Sequence, residues 1–227
     1  QINNDLFYAR VLSGGSLALG ESYMDGWWDC ESLDQFGDKL LSGRIDKQVK
    51  ITSLYFLMNV ARAFMFNAQT KKRSYIVGRE HYDIGNDLFS LMLDEKMNYS
   101  CGYWRKAKNL EQAQINKLDL ICRKLHLKPG MSVLEIGCGW GSFAKYAVEN
   151  YGVSVHGVTI SKEQVSYAKK SCEGLDVSFE LKDYRELNKK YDSIVSIGMF
   201  EHVGYKNYRN YMEVVNRCLK DDGLFLL

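Results

Sequence analysis

Residues 133–142 read VLEIGCGWGS, an apolar run that leads directly into three glycines at alternate positions, Gly137, Gly139 and Gly141. Such a run predicts a buried strand and a tight turn, and the pattern beyond it predicts a helix near 140–150. Glycines at a strand-to-helix turn let a ligand approach the backbone and place its polar groups at a helix N-terminus. The stretch therefore predicts the first strand and the cofactor loop of an α/β sheet.

The spacing of these glycines differs from that of the dinucleotide-binding fingerprint. The fingerprint has its third glycine three residues after the second, and that position is Ser142 here. The third glycine comes one residue earlier, at Gly141. A nicotinamide or flavin dinucleotide is therefore disfavoured, and an ordinary tight turn without any ligand is the remaining structural alternative.

Further apolar runs follow the glycine loop and alternate with helical patterns. The runs span 153–158, 177–181, 191–199 and 223–227, and the helical patterns lie near 161–173 and 205–219. Strands that alternate with helices of this length predict βαβ units, a mostly parallel sheet and right-handed crossovers. Because the last apolar run ends the sequence at Leu227, we expect the C-terminal strands of the sheet to be missing.

The region before Pro129, the one proline of the chain, has helical patterns. Its first part, residues 1–79, is predicted to form a small, mainly helical N-terminal domain. Residues 80–227 are predicted to form the α/β domain. The whole chain is 46% hydrophobic and 26% charged with a net charge of +2, which predicts a folded protein and gives no reason to expect nucleic acid. Six scattered cysteines without a CxxC pair argue against a zinc site and favour reduced thiols.

One segment departs from this balanced charge. Residues 47–79 hold seven Lys and Arg and no Asp or Glu, and within them residues 51–68 are aromatic, Met-rich and helical in pattern. A helix that is apolar nearly all round is usually packed in a core or a dimer interface. Basic charge beside aromatic bulk is instead typical of a surface that meets anionic lipid, which predicts membrane contact at Lys71, Lys72 and Arg73. Both interpretations stay open on the residues alone.

Polar residues stand where the second and third predicted strands end. Thr159 and Gln164 are the candidates for a ribose ligand at the second strand. Ser161 precedes Gln164 by three residues, a spacing that predicts a helix N-cap. Asp183 follows the third strand, where it is a candidate acceptor for an adenine amino group, although an isolated Asp after a strand is also typical of a turn or cap.

Five blocks of sequence then occur in a particular order. They are GESYMDGWW (20–28), EHYDIGNDLFSLMLDEKMNYSCGYW (80–104), EIGCGWGS (135–142), GVTISKEQ (157–164) and GMFEHVG (198–204). Together they resemble the cyclopropane-fatty-acyl-phospholipid synthase family over essentially the whole chain, and the glycine loop resembles motif I of class I S-adenosylmethionine-dependent methyltransferases. The resemblance implies a Rossmann-like class I methyltransferase domain. Its implied activity is transfer of a methylene group from S-adenosylmethionine to the cis double bond of phospholipid acyl chains.

The resemblance also implies roles for individual residues. Cys101 and Glu201 match catalytic residues that hold a bicarbonate ion, which deprotonates a carbocation so that the cyclopropane ring closes. The residues that match contacts to S-adenosylmethionine, or to its product S-adenosylhomocysteine, are Tyr99, Ser100, Glu135, Gly137, Gly139, Trp140, Gly141, Thr159, Gln164, Asp183 and Tyr184. Without the resemblance, Cys101 is typical of a small buried hydrophobe and Glu201 of a helix cap. The role of His202 stays open.

The implied substrate lies inside a bilayer, so the resemblance implies a cytoplasmic enzyme that is peripherally associated with the inner face of the membrane. We expect an anionic phospholipid bilayer as its partner and no nucleic acid, and a homodimer is an open alternative. Two other functions remain: a related methyltransferase that acts on a small amine or another lipid, and a non-catalytic fragment that only binds cofactor or lipid. The products formed from an unsaturated lipid would distinguish them.

Overall fold

The computed structural model describes residues 1–44, Thr70 and residues 85–227. The chain divides into two compact units, Gln1–Ala68 and Gln69–Leu227. The domain boundary predicted between residues 79 and 80 lies outside the described residues and stays a prediction. The same holds for the predicted helix over 51–68 and for the predicted membrane contacts at Lys71, Lys72 and Arg73.

Both helices described in the first unit, α1 (Phe7–Met24) and α2 (Leu33–Ser42), agree with the predicted helical region. Helix α1 is interrupted at Gly15, whose φ of 64° and ψ of −144° are accessible to glycine without steric cost. The buried Trp28 packs against both helices. Its ring centroid lies 4.8 Å from that of Phe36 in α2, and its indole Nε1 donates to the Leu19 carbonyl of α1 at 3.1 Å.

The described part of the second unit contains a sheet of five parallel strands, as predicted. They are β1 (Ser132–Ile136), β2 (Ser154–Thr159), β3 (Val177–Leu181), β4 (Tyr191–Val195) and β5 (Leu219–Leu226). Strand β5 begins four residues before its predicted start, because Leu219 pairs with Tyr191 ahead of a register shift, and regular pairing resumes where Ser193 meets Leu224. The intervening residues Lys220, Asp221 and Asp222 are polar, so a hydropathy pattern does not predict the start of this strand.

Five α-helices are described in the second unit, of which the first two precede β1 and the other three lie between strands. They are α3 (Asn86–Met92), α4 (Leu110–Lys124), α5 (Ser142–Tyr151), α6 (Lys162–Ser171) and α7 (Tyr208–Cys218), with short 3₁₀ helices at Tyr184–Glu186, Phe200–His202 and Tyr205–Asn207. The predicted N-cap is confirmed, since Ser161 Oγ accepts from the Gln164 N–H at 3.2 Å. Among the described helices, none is long and apolar enough to cross a membrane.

Two apolar cores cover opposite faces of the sheet, because neighbouring residues of a strand point to opposite sides. Val133 of β1 packs in the core that holds the buried faces of α4, α5 and α6. Leu134, the next residue, packs in the core that holds Tyr211 and Val214 of α7. A strand buried on both faces needs apolar residues at successive positions, which explains the unbroken run that opens VLEIGCGWGS.

The order of the strands is β3-β2-β1-β4-β5. The chain therefore moves outward from β1 to one side of the sheet and returns to build the other side from β4. In open parallel sheets, ligands bind beyond the carboxyl ends of the strands where the order reverses in this way. This topology positions a site at the ends of β1 and β4.

Candidate active site

A cleft lies at the carboxyl ends of β1, β2 and β4, where the topology places a site. Ten of the eleven residues predicted to contact the cofactor line it: Tyr99, Ser100, Glu135, Gly137, Gly139, Trp140, Thr159, Gln164, Asp183 and Tyr184. The eleventh, Gly141, lies outside the lining. The structure thus brings the predicted residues to one place, and their contacts with a cofactor stay predictions.

The glycine loop is hydrogen-bonded to β2, and its glycines are needed for different reasons. The backbone N–H groups of Gly137 and Cys138 both donate to the Val158 carbonyl, at 2.9 and 3.1 Å. A Cβ at Gly139 (φ 52°) would meet nothing within 4 Å, so this position leaves open space in the cleft. A Cβ at Gly141 (φ 87°) would come within 3.0 Å of Phe179, so this glycine serves close packing between α5 and β3.

Glu135, at the end of β1, is a buried carboxyl group with an unsatisfied atom. Its Oε2 has no hydrogen-bond partner among the described residues. The Ala144 N–H, in the first turn of α5, donates to the carboxyl group. Burial raises the pKa of Glu135 to about 8, more than this N–H and the nearby Lys117 lower it. A ligand that brings a positive charge to this atom would relieve the cost of burial.

Lys117 of α4 lines the same cleft, and the motifs in the sequence did not identify it. Its Nζ donates to Ser100 Oγ at 2.8 Å, and burial lowers its pKa to about 8. The signal that would have found it is helical periodicity. Lys117 lies four residues after Ala113 and four before Ile121, so it falls on the buried face of α4. A lysine is rarely buried in such a position unless it has a partner.

The end of β2 presents a buried pair of polar side chains. The Thr159 hydroxyl donates to Gln164 Oε1 at 2.7 Å, and the Ser161 N–H donates to Thr159 Oγ1 at 3.3 Å. The N-cap bond of Ser161 fixes the first turn of α6, which carries Gln164. A turn and a helix cap therefore orient both predicted ribose ligands towards the cleft.

Asp183, just after β3, lines the cleft and caps the turn that follows the strand, while its contact with an adenine amino group stays a prediction. Its Oδ1 accepts from the Arg185 N–H at 3.0 Å, which confirms the cap. The Arg185 guanidinium also binds the carboxylate with two hydrogen bonds of 2.7 Å. Arg185, which sequence reasoning did not select, thus holds the Asp183 side chain in a fixed orientation at the wall of the cleft.

Aromatic side chains form another wall. Trp140 is buried, its ring centroid lies 4.7 Å from that of Phe89, and its Nε1 donates to Asn86 Oδ1 at 2.7 Å. Tyr99 packs edge-on against the same Phe89 ring at 5.5 Å. Tyr99 is 56% exposed, so it presents part of its ring at the opening of the cleft.

The two predicted catalytic residues are not among the residues that line the cleft, although each is next in the chain to one that does. Cys101 and Glu201 are both exposed and do not line the cleft, whereas their neighbours Ser100 and His202 do. The interpretation of Cys101 as a small buried hydrophobe is wrong, because the chain at this point runs along the surface of the unit. Glu201 lies in the 3₁₀ helix Phe200–His202. The catalytic roles of both residues stay predictions.

The parallel sheet, the glycine loop after β1 and the cleft at the reversal of strand order define a class I S-adenosylmethionine-dependent methyltransferase fold. Solved structures agree. Coclaurine N-methyltransferase, bound to N-methylheliamine and S-adenosylhomocysteine, superposes with a TM-score of 0.72 over 92% of this chain and 62% of that enzyme, at 24% identity. At this identity the likeness shows the fold alone.

The family within this class follows from sequence. The model of the mycolic acid cyclopropane synthetase family matches residues 69–227, and the chain belongs to this family. Cyclopropane-fatty-acyl-phospholipid synthase of Escherichia coli is 58% identical over all 227 residues, which span 59% of that enzyme. Mycolic acid cyclopropane synthase CmaA1, solved in complex with SAH and CTAB, is 38% identical with a TM-score of 0.64, over 66% of this chain and 55% of that one. The chain thus spans about three-fifths of the length of its curated relative.

Proposed function

We propose that this chain is part of an enzyme that transfers a methylene group from S-adenosylmethionine to the cis double bond of unsaturated phospholipid acyl chains, forming a cyclopropane ring. The observation that carries the proposal is the 58% identity to the E. coli synthase along the whole chain. That identity extends over the first unit, Gln1–Ala68, which lies outside the residues that the family model matches, and CmaA1 covers only 66% of this chain. It therefore favours a phospholipid over a mycolic acid as the substrate.

The cleft fits S-adenosylmethionine in its donor set and its shape. Gly139 leaves open space beside the loop, the buried Thr159 and Gln164 present polar atoms at the end of β2, and Glu135 has a buried oxygen without a partner among the described residues. These features suit an adenosine with an amino-acid end. When bound, the cofactor would supply an electrophilic methyl group on a positively charged sulfur.

The protein's own residues would orient the acyl chain and exclude water. An isolated alkene is a weak, neutral nucleophile, so alignment and a dry site contribute much of the rate. Trp140 and Tyr99 line one side of the cleft with Phe89 packed against both rings, and a bound acyl chain on this side would displace water. Methyl transfer places positive charge on the acyl chain, and the partly exposed ring of Tyr99 would attract it by a cation–π interaction of about 0.5–2 kcal/mol.

A finer proposal concerns the proton that leaves as the ring closes. The family resemblance implies a bicarbonate ion as the base, held by Cys101 and Glu201. Both side chains are exposed and outside the cleft lining, so their arrangement among the described residues does not itself form an anion site. The test is direct: if bicarbonate is the base, its removal from the buffer slows ring formation and its return restores the rate, and an unchanged rate rejects it.

The phospholipid substrate further supports a peripheral enzyme that meets an anionic bilayer from the cytoplasmic side. The basic run around Lys71, Lys72 and Arg73 is the segment that the sequence offers for this contact. A homodimer is compatible with the apolar segment 51–68. These three statements rest on sequence pattern, and vesicle binding and oligomeric mass would test them.

The activity is tested by incubating the chain with unsaturated phospholipid vesicles and S-adenosylmethionine and analysing the lipids by mass spectrometry. The expected product is heavier by one CH₂ and has lost its double bond. Vesicles of saturated phospholipid are the control and should stay unchanged. Methylation of an amine headgroup or an added amine would show a different methyltransferase, and cofactor binding without any product would show a binding fragment.

A further inference from the structure

Helix α4 brings two buried polar side chains to Ser100 from outside the motifs that define the family, and one of them, Lys117, lines the cleft. Gln114 and Lys117, three residues apart, lie on one face of the helix and are both buried. Gln114 Nε2 donates to the Ser100 carbonyl at 2.9 Å, and Lys117 Nζ donates to Ser100 Oγ at 2.8 Å. Ser100 is therefore held at the cleft wall through both its backbone and its side chain.

The charges that meet here are only partly compensated. Burial lowers the pKa of Lys117 to about 8, although Asp94, Cys101 and Glu135 all act to raise it. Burial raises the pKa of Glu135 to about 8 although Lys117 acts to lower it, and Glu135 Oε2 has no hydrogen-bond partner among the described residues. Each group loses stability by being buried with too little opposite charge around it.

A ligand that carried one positive and one negative group would relieve both costs at once. An α-amino acid at neutral pH is such a ligand, with an ammonium and a carboxylate on one carbon. Of the groups on S-adenosylmethionine, its amino-acid end alone has this pair of charges. The adenosine end is uncharged and suits the polar atoms at the end of β2.

We propose that Lys117 binds the carboxylate of the cofactor's amino-acid end while Glu135 faces its ammonium group, with Ser100 held between Lys117 and the ligand. This inference rests on the proposed function and adds a binding residue from α4, outside the glycine loop. It makes the affinity for the cofactor depend on a buried cation that no motif in the sequence encodes.

Two ligands separate this role from a structural one. S-adenosylhomocysteine carries the amino-acid end, whereas 5′-methylthioadenosine keeps the adenosine and the sulfur but lacks that end. Calorimetry would measure the affinity of both for the unaltered chain, for Lys117→Met and for the control Lys124→Met. Lys124 lies on the same helix but is exposed. Lys117→Met should weaken S-adenosylhomocysteine binding by about tenfold or more, because a charge-assisted hydrogen bond is lost, and should leave 5′-methylthioadenosine binding within about twofold.

Each other outcome overturns the inference. Equal losses for both ligands would show that Lys117 only supports the fold, and unchanged binding of both would show that it does not reach the ligand. Ser100→Ala keeps the cation, so it should weaken S-adenosylhomocysteine binding less than Lys117→Met does; an equal or larger loss would assign the contact to Ser100. An unaltered chain that binds no S-adenosylhomocysteine would overturn the proposed function as well, whereas normal binding by Lys117→Met overturns this inference alone.

Discussion

The indole Nε1 of Trp140 donates a 2.7 Å hydrogen bond to Oδ1 of Asn86 and so ties the glycine loop to helix α3. Trp140 follows β1 directly, and Asn86 is the first residue of α3, 54 positions earlier. The indole is buried, so its N–H needs a partner within the protein. This bond therefore orients Trp140, which lines the cleft.

Removing that partner should loosen the loop. Asn86→Leu removes this acceptor from the buried indole N–H, and we expect a loss of about 1–3 kcal/mol in the free energy of unfolding together with weaker binding of S-adenosylhomocysteine. Denaturant unfolding and calorimetry measure the two effects. Asn150→Leu, which removes an exposed side-chain bond to the Tyr146 carbonyl in α5, is the control and should change neither by much. Equal stability of Asn86→Leu and the parent would contradict the prediction.

The open space at Gly139 predicts a selective loss of cofactor binding. A methyl group at this position meets no protein atom within 4 Å and would instead occupy the cleft. We expect Gly139→Ala to weaken S-adenosylhomocysteine binding by at least about tenfold. Gly174→Ala is the matched control, because Gly174 also has a positive φ (82°) and open space but lies outside the cleft. Both substitutions carry a similar backbone cost of about 1–2 kcal/mol, so only the difference in binding tests the site.

Asp192 predicts a change of stability with pH. Its Oδ1 accepts from Lys220 Nζ and its Oδ2 from the Ser132 hydroxyl, both at 2.7 Å. These two hydrogen bonds, of which the one from Lys220 has the larger effect, lower the pKa of Asp192 to about 2. A carboxyl group whose pKa is lower in the folded than in the unfolded state stabilises the fold at pH values above its unfolded pKa, which is about 4. This stabilisation is lost as the pH falls from about 4 to about 2.

Asp192→Asn should therefore be less stable than the parent by about 1–2 kcal/mol at pH 6, with the difference shrinking between pH 4 and pH 2. Thermal unfolding at several pH values measures it. Asp221→Asn, whose side chain is 98% exposed, is the control and should show little difference at any pH. A gap between Asp192→Asn and the parent that stays constant down to pH 2 would refute the assignment.

Glu201 tests the proposed chemistry. If it orients the base, Glu201→Gln should abolish ring formation while the affinity for S-adenosylhomocysteine stays unchanged, since the side chain lies outside the cleft lining. Lipid mass spectrometry and calorimetry give the two readouts. Glu213→Gln, an exposed carboxylate on α7, should retain activity. Loss of cofactor affinity in Glu201→Gln would place the residue in the cofactor site instead.

The basic run predicts electrostatic membrane binding. Replacing Lys71, Lys72 and Arg73 by Glu should weaken binding to anionic vesicles, because each basic residue near such a surface contributes about 1 kcal/mol. Vesicle co-sedimentation at low and physiological salt measures the loss. The matched control replaces Lys162, Lys169 and Lys170, exposed residues of α6, and changes the net charge equally. Equal losses in both triple variants would mean that only the overall charge matters.

The fold was largely predictable because its signals are local. The run VLEIGCGWGS predicted β1, the loop and the start of α5, and VSFEL matched β3 residue for residue. The start of β5 was missed because three polar residues, Lys220, Asp221 and Asp222, are accommodated in an irregular register against β4. The contacts that hold the cleft, from Lys117 to Ser100 and from Arg185 to Asp183, were also missed.

By itself, the sequence determined the parallel α/β sheet, the position of the glycine loop and ten of the residues that line the cleft. Hydrophobic periodicity and glycine spacing predict such features because they reflect the local conformation of the backbone. The tertiary structure alone decided which further side chains, Lys117 and Arg185 among them, share the cleft with the predicted residues. Lys117 and Glu135 stand 18 residues apart in the chain, on a helix and a strand, and neither the burial that moves both pKa values to about 8 nor their convergence on one cleft is written in local pattern. Desolvation depends on everything packed around a group, so it exists only once the chain has folded.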